Sequence, residues 1–388
     1  MLYLDNNSTT RVTEPVIEAM RPYWEGQFGN PSSLHRMGQA ARHAIETARE
    51  QVAALINANP RDIVFTSGGT ESDNLAILGT LAAHPTKRHI VTTAVEHPAV
   101  LSLCERLANE DYRVTFVGVD EKGRLDLDEF EAALTPDTAL ASVMYANNET
   151  GVIFPVEKVS EICNLRCVPL HTDAVQAAGK LPIDAKQLGV RLMSLSGHKI
   201  HASKGVGALY VGKGARLRGQ HVGGHQERDL RPGTENVAGV VGFGEAARLA
   251  KERLSRGVNT GMAALRDRLE TGLLAATTLA RPIGDQVART ANTTCIAFEN
   301  LEAEAILIAL SEEGLCASSG SACSSGSLEP SHVLKAMGIG EQWAHGAIRF
   351  SLSFETTESE VEQALTIVPR VVDRLAVIQA TGDYVKNR

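Results

Sequence analysis

The chain has 388 residues, enough for one large and one smaller domain but too few for three ordinary ones. Its hydrophobic fraction of 43% and its charged fraction of 22% are typical of a globular protein in water. The 38 basic and 46 acidic residues give a net charge of -8, and no run of Lys or Arg could follow a phosphate backbone. These features argue against a nucleic-acid partner.

The N-terminus and the cysteines indicate the compartment. The first residues, MLYLD, lack the basic and apolar pattern of an export signal, and no segment has the length of a membrane span. Six cysteines are too few and too scattered for a disulfide framework. We therefore expect a cytoplasmic protein with reduced thiols and no membrane association.

Short apolar runs that end in small or polar residues predict buried parallel strands over the first two hundred residues. The runs lie at 62–65, 89–92, 114–117, 139–143, 168–171, 192–195 and 207–211. Helical patterns separate them, for example at 75–78 and 101–110. The alternation predicts an α/β domain with a mostly parallel sheet. Because the runs are continuous, we expect helices to cover the strands on both faces.

The pattern changes at about residue 257. An Ala- and Leu-rich helix at 262–279 leads to a strand at 294–298, and a last helix has apolar residues at Val361, Leu365, Val368 and Val372. These elements predict a smaller α+β domain. We expect residues 1–15 and 258–388 to form this small domain and residues 16–257 to form the large one.

Lys199 follows a predicted strand, in the sequence Ser196-Gly197-His198-Lys199. In α/β enzymes, ligands bind outside the carboxyl ends of the strands. A partly desolvated lysine there can lose its proton and form a Schiff base with an aldehyde. An isolated lysine is more simply a solvated surface group, so this interpretation depends on its neighbours.

Asp173 lies at the end of the preceding predicted strand. Its carboxylate could pair with a pyridinium nitrogen, and Gln176, three residues later, could face the same ligand. Considered alone, Asp173 is better explained as the cap of a following helix.

Residues 66–72, TSGGTES, lie between a predicted strand and a predicted helix. Glycines let the backbone approach an anion, hydroxyls donate to it, and the helix N-terminus favours its negative charge. The stretch is neither a P-loop nor a GxGxxG fingerprint. With Lys199 and Asp173 it supplies the three groups that pyridoxal phosphate needs.

The chain resembles the cysteine desulfurases of the NifS/IscS group, within the fold-type I pyridoxal-phosphate enzymes. The matched blocks run in family order almost to the C-terminus: 3–7 (YLDNN), 28–33 (FGNPSS), 66–72 (TSGGTES), 96–97 (EH), 147–151 (NNETG), 173–176 (DAVQ), 196–199 (SGHK), 231–236 (RPGTEN), 318–323 (SSGSAC) and 348–351 (IRFS). The resemblance implies the fold-type I transferase architecture, a large domain with a mostly parallel sheet and a smaller α+β domain.

The resemblance also implies a role for each matched residue of the cofactor site. Lys199 would bind pyridoxal phosphate covalently, Asp173 would pair with the pyridine nitrogen, and Gln176 would bond the phenolic oxygen. His97 would stack on the ring and help to move protons. The phosphate would be held by Gly69, Thr70, Ser196 and His198.

Three further residues are matched to groups at the edge of this site. Arg349 and Asn148 would hold the carboxylate of the substrate, L-cysteine, and Asn148 would also contact the cofactor; a guanidinium suits a carboxylate. Thr234 would reach the phosphate of a neighbouring subunit, which implies a homodimer.

Cys323 is matched to the nucleophile that takes sulfur from cysteine as a persulfide. Its surroundings, GSACSSGS at 320–327, are small and polar, as a cysteine on a mobile loop requires. In the family the sulfur passes to an iron–sulfur scaffold, and whether Cys323 also holds an iron–sulfur cluster transiently is left open by the sequence. We expect no intrinsic metal site. Cys163 and Cys167 are better explained as buried thiols on a helix face, and glycines between His221 and His225 argue against a metal-binding helix there.

Two alternatives remain open. A selenocysteine lyase or an aminotransferase would share the fold, although the cysteine-bearing segment favours desulfuration. A scaffold subunit without activity would be expected to lose Lys199, Asp173, His97 or Cys323, and all four are present. Residues 342–349, QWAHGAIR, resemble the nitrogen-fixation type more than the housekeeping type.

Overall fold

The computed structural model describes residues 1–319 and 329–386, with the side chains of 380–386 excepted. Cys323 therefore lies outside the described residues. The strands are β1 (Leu2–Tyr3), β2 (Ile63–Thr66), β3 (His89–Thr93), β4 (Arg113–Val117), β5 (Thr138–Ser142), β6 (Leu170–Asp173), β7 (Leu192–Ser196), β8 (Gly207–Val211), β9 (Ala280–Ile283), β10 (Thr293–Phe298), β11 (Leu315–Cys316) and β12 (Ala347–Ser351). The helices are α1 (Glu14–Met20), α2 (Pro22–Glu25), α3 (Arg36–Leu55), α4 (Gly69–Ala83), α5 (Pro98–Ala108), α6 (Leu127–Ala133), α7 (Val156–Leu165), α8 (Ala185–Leu188), α9 (Val237–Ser255), α10 (Val258–Ala276), α11 (Ala303–Glu312), α12 (His332–Ala336), α13 (Glu341–Ala344) and α14 (Glu358–Lys386).

The main sheet has seven strands in the order β2-β8-β7-β6-β5-β3-β4. All neighbouring pairs are parallel except those that involve β8, which runs antiparallel to both β2 and β7. The predicted α/β fold with a mostly parallel sheet is confirmed. The prediction that 207–211 is one of the parallel strands is wrong. Only residues 197–206 connect β7 to β8, and a parallel return needs a longer crossover.

Successive residues of the central strands enter two different cores, which explains their continuous apolar runs. Val64, Ile90 and Leu140 pack in one core with α4 and α5. Their chain neighbours Phe65, Val91 and Ala141 pack on the opposite face, in the core that includes residues of α3, α7 and α9. Because side chains alternate across a strand, both faces of the sheet are covered by helices.

A third core lies beyond the main sheet. It is built on the antiparallel sheet β9-β10-β12 and on helices α10, α11 and α14. The start of the chain belongs to this core, since β1 pairs with β11 and Leu4 is fully buried in the cluster. The division of the chain near residue 257 stays a prediction.

Within residues 1–319 and 329–386, no helix combines the length and the apolar character that crossing a bilayer would require.

Candidate active site

A cavity opens at the carboxyl ends of β5, β6 and β7 and collects nearly all the predicted site residues. It is lined by Asn7, Ser8, Gly69, Thr70, Asp73, His97, Met144, Ala146, Asn148, Asp173, Val175, Gln176, Ser196, His198, Lys199 and Arg349. The sheet brings these groups together because parallel strands end at the same edge.

Lys199 stands in a tight turn directly after β7. Its Nζ donates to the backbone carbonyls of Asn7, at 2.6 Å, and Ser8, at 2.7 Å. The N-terminal segment thus supplies two acceptors for the amine at the wall of the cavity. A lysine held in this way is within the site and is not a solvated surface group.

Asp173 is the last residue of β6 and is buried. One carboxylate oxygen accepts the backbone N–H of Val175 at 2.9 Å, which closes a turn. The interpretation of Asp173 as a helix cap is wrong, because the next helix, α8, begins only at Ala185. Burial raises the pKa of the Asp173 carboxyl, and the nearby His97 and Lys199 act in the opposite direction.

Asp173 also belongs to a compact buried group. Ligand atoms of Asp73, His97 and Asp173 all lie within 4.8 Å of one another. Burial and the Asp173 charge raise the pKa of Asp73 well above its usual value. Two desolvated carboxyls side by side favour a ligand that brings positive charge or an N–H donor between them.

His97 caps helix α5 with its ring. Its Nδ1 accepts the backbone N–H of Ala99 at 3.1 Å, so any proton of the neutral ring lies on Nε2. Burial lowers the pKa of His97, and the Lys199 charge lowers it further while Asp173 opposes the change. The capping bond fixes the imidazole at the cavity wall.

The turn from β2 into α4 meets Ser196 at the other end of the cavity. Helix α4 begins at Gly69, and the first turn of this 15-residue helix includes Thr70. The Ser196 Oγ is buried and has no hydrogen-bond partner within the described part of the chain. At Gly207 a Cβ would lie 2.7 Å from the Gly68 backbone, so glycine is required where β8 passes this turn. The turn has the helix N-terminus and the spare hydroxyl that an anion needs.

His198 completes this end of the site. Its Nδ1 lies 3.2 Å from the Thr9 Oγ1. Burial, with Lys199 as the next cause, lowers the pKa of His198 to about 4. The ring is therefore neutral at pH 7, and it can donate a hydrogen bond without adding charge.

Arg349 reaches the cavity from β12 and is almost fully buried. Its Nη2 donates to the Asp5 carboxylate at 2.8 Å and to the Ser8 Oγ at 2.7 Å. Its Nη1 donates to the Asn148 carbonyl at 2.9 Å. Nε is buried without a partner among residues 1–319 and 329–386, so a donor remains for a ligand.

Gln176 is held by two contacts that the sequence did not indicate. Its Nε2 donates to the Asn7 carbonyl at 3.0 Å, and its Oε1 accepts from the Lys180 Nζ at 2.6 Å. The same amine donates to the Asn7 Oδ1 at 2.9 Å.

Sequence reasoning therefore missed Asn7, Ser8, Asp73 and Lys180. Lys180 gave no signal in the sequence, because residues 174–180 form turns and not the helix that a four-residue spacing would indicate. Asn7 and Ser8 act on Lys199 through backbone carbonyls, for which the residue type gives no signal.

Two predicted site residues are not brought into this cavity. Thr234 is exposed and lines a separate surface pocket with Glu71 and Arg231. Cys323 lies outside the described residues. The prediction for Cys167 is wrong: Cys163 is buried on α7, but Cys167 is exposed beyond the end of that helix, at a φ of 54°.

Comparisons with known proteins agree along nearly the whole chain. Residues 2–364 match the family model described as aminotransferase class-V. A cysteine desulfurase of Nostoc sp. is 52% identical over 378 residues, covering 97% of this chain and 94% of the relative. The cysteine desulfurase NifS of Azotobacter vinelandii is 52% identical, with coverages of 96% and 93%. A solved NifS-like protein superposes with a TM-score of 0.90 at 39% identity, covering 96% of this chain and 100% of the other.

Proposed function

The chain belongs to the class-V aminotransferase family and, within it, to the cysteine desulfurases, and we propose that it converts L-cysteine to L-alanine with pyridoxal phosphate as its cofactor. The main support for this proposal is that Lys199, Asp173 and Ser196 line the same cavity. These residues offer an amine, a carboxylate and an anion-binding hydroxyl at the ends of the neighbouring strands β6 and β7.

The residues of the cavity fit this cofactor. The Ser196 Oγ, which has no partner among the described residues, and the start of α4 suit the phosphate, with Gly69, Thr70 and His198 beside them. The buried pair Asp73 and Asp173 suits a protonated pyridine nitrogen, because a desolvated carboxylate needs a positive partner. Lys199 would hold the aldehyde carbon covalently, and His97 would lie against the ring.

When bound, pyridoxal phosphate supplies an electron sink for the carbanion formed at the substrate Cα. Lys199 Nζ would remove the α-proton, and the carbonyls of Asn7 and Ser8 are acceptors for the resulting ammonium. Arg349 and Asn148 would hold the substrate carboxylate and so orient the Cα–H bond towards that amine. Asp173 would keep its negative charge opposite the pyridine nitrogen.

Sulfur transfer would require Cys323. Its thiolate attacks the sulfur of the substrate, the C–S bond breaks with its electron pair on carbon, and protonation of the carbon fragment gives alanine. The product on the protein is a Cys323 persulfide. We propose an iron–sulfur scaffold as its acceptor, a homodimer in which Thr234 serves the neighbouring subunit, and the cytoplasm as the compartment.

The proposal is tested by the products and by two variants. Wild-type protein should release alanine from cysteine and form one protein persulfide. Cys323→Ala should lose the persulfide but keep the cofactor absorbance, whereas Lys199→Ala should lose the covalent cofactor signal. Persulfide formation at the normal rate in Cys323→Ala, or an unchanged covalent signal in Lys199→Ala, would contradict the assignment. Comparing alanine release from cysteine and selenocysteine distinguishes a selenocysteine lyase.

A further inference from the structure

Lys180 is a second lysine beside the site; it is buried, and the cofactor chemistry above does not use it. It is 9% exposed and lines a separate small cavity behind Lys199, together with Arg253 and Phe354. It does not line the cavity that contains Asp173 and Ser196. Any effect of Lys180 on the reaction must therefore pass through another residue.

The contacts of Lys180 are two hydrogen bonds to neighbouring side-chain amides. Nζ donates to the Gln176 Oε1 at 2.6 Å and to the Asn7 Oδ1 at 2.9 Å. Burial, followed by the charges of Lys199 and Arg349, lowers the pKa of Lys180 well below its usual value. Nζ therefore acts as a hydrogen-bond donor to both side chains.

These contacts determine which way the Gln176 amide points. The Asn7 carbonyl can only accept, so Nε2 must face it, and the Lys180 amine, which donates to Oε1, holds the amide in this orientation. The Nε2 group has a second hydrogen, which is left for the cavity that Gln176 lines. Without Lys180 the amide could rotate and present its oxygen there.

Lys180 also supports the acceptor of the Lys199 amine. The Asn7 Oδ1 receives Lys180 Nζ and Asn292 Nδ2, each at 2.9 Å, while the carbonyl of the same residue accepts Lys199 Nζ. The position of Asn7 is thus fixed by its side chain, and its carbonyl is the group that meets Lys199.

We propose that Lys180 is a positioning residue that turns the Gln176 amide N–H towards the phenolic oxygen of the cofactor and holds the Asn7 carbonyl in place for Lys199. The inference rests on the proposed function, since it needs pyridoxal phosphate in the cavity. It assigns a role to a residue that neither touches the cofactor nor lines its cavity.

The test is a pH titration of the bound cofactor's absorbance in purified holoenzyme. A donor to an ionised oxygen stabilises its charge, so loss of the donor favours the protonated form and raises the midpoint. We expect Lys180→Met to raise the midpoint by about one pH unit. Lys180→Gln keeps an amide donor and should raise the midpoint less. This variant tests the same role if Lys180→Met fails to fold.

Two controls separate this role from a structural one. Arg253→Met removes a basic group from the same small cavity, but its guanidinium lies over the Phe354 ring and away from Gln176, so the midpoint should not move. In a Gln176→Ala background, Lys180→Met should add almost nothing, because the amide that it positions is gone.

The outcomes are distinct. A wild-type protein without a cofactor band refutes the proposed function. A wild-type band whose midpoint stays unchanged in both Lys180 variants overturns the positioning role alone. An equal shift in the presence and absence of the Gln176 side chain also overturns it, because Lys180 would then act by its charge or by packing.

Discussion

Replacing Arg349 by lysine tests the substrate end of the site. Three of the five guanidinium N–H donors of Arg349 are committed to Asp5, Ser8 and the Asn148 carbonyl. Two donors, including the buried Nε–H, remain for a substrate carboxylate. A lysine ammonium has only three donors, and the same three oxygens would take them all.

The variant should therefore lose at least one charge-assisted hydrogen bond to the substrate. Such a bond contributes about 1.5–3 kcal/mol, which corresponds to roughly a 10- to 150-fold change in binding. The charge of the carboxylate does not change during the reaction, so the loss should raise KM for cysteine and change kcat little. The cofactor absorbance should stay the same, because Arg349 is assigned to the carboxylate of the substrate and not to the cofactor.

The assay is alanine formation as a function of cysteine concentration. Arg281→Lys is a matched control, because Arg281 lies on β9, two strands away from β12 in the same sheet, and stacks on Trp343, away from the cavity. A KM for Arg349→Lys within twofold of the wild-type value would refute the assignment of Arg349 to the substrate carboxylate.

Two further predictions concern stability. Glu227→Ala should lower the free energy of unfolding by about 3–5 kcal/mol, because it leaves Arg49 buried without the partner that it now meets through two 2.7 Å contacts. Chemical denaturation measures the loss, and Arg49→Met combined with Glu227→Leu should recover most of it. Glu96→Gln should flatten the dependence of stability on pH between about 5 and 8, measured by the same method, because burial raises the pKa of Glu96 to about 8.

The sign for Glu96 follows from proton binding. Above pH 4.5 the unfolded chain has released this proton, while the folded protein keeps it until about pH 8. The contribution to stability is complete below pH 4.5 and is lost as the pH rises, at a slope of up to about 1.4 kcal/mol per unit. Parallel profiles for wild type and Glu96→Gln would contradict the prediction for Glu96. A Glu227→Ala protein of wild-type stability would contradict the prediction for the Arg49 pair.

The sequence predicted the features that depend on local pattern. Strand β7 with Lys199 was visible because a mostly apolar run ends in a polar residue, whereas β6 was placed at 168–171 and runs from Leu170 to Asp173. The direction of β8 was not visible in its composition and depended on the length of the preceding connection. Glu227 adopts a φ of 45° and meets Arg49 from 178 positions away, and no local pattern encodes such a contact.

The N-terminal segment shows why the remaining part of the site required the structure. Leu4 is anchored in the third core, and Thr10 is tied to the His198 carbonyl by its backbone N–H and its hydroxyl. Between these anchors, Asp5 and Ser8 hold Arg349 while the carbonyls of residues 7 and 8 hold the Lys199 amine. One short stretch of backbone therefore sets the separation between the guanidinium proposed for the carboxylate and the amine proposed for the α-proton. Since both groups must act on one small amino acid, a shift of this segment would misplace both at once.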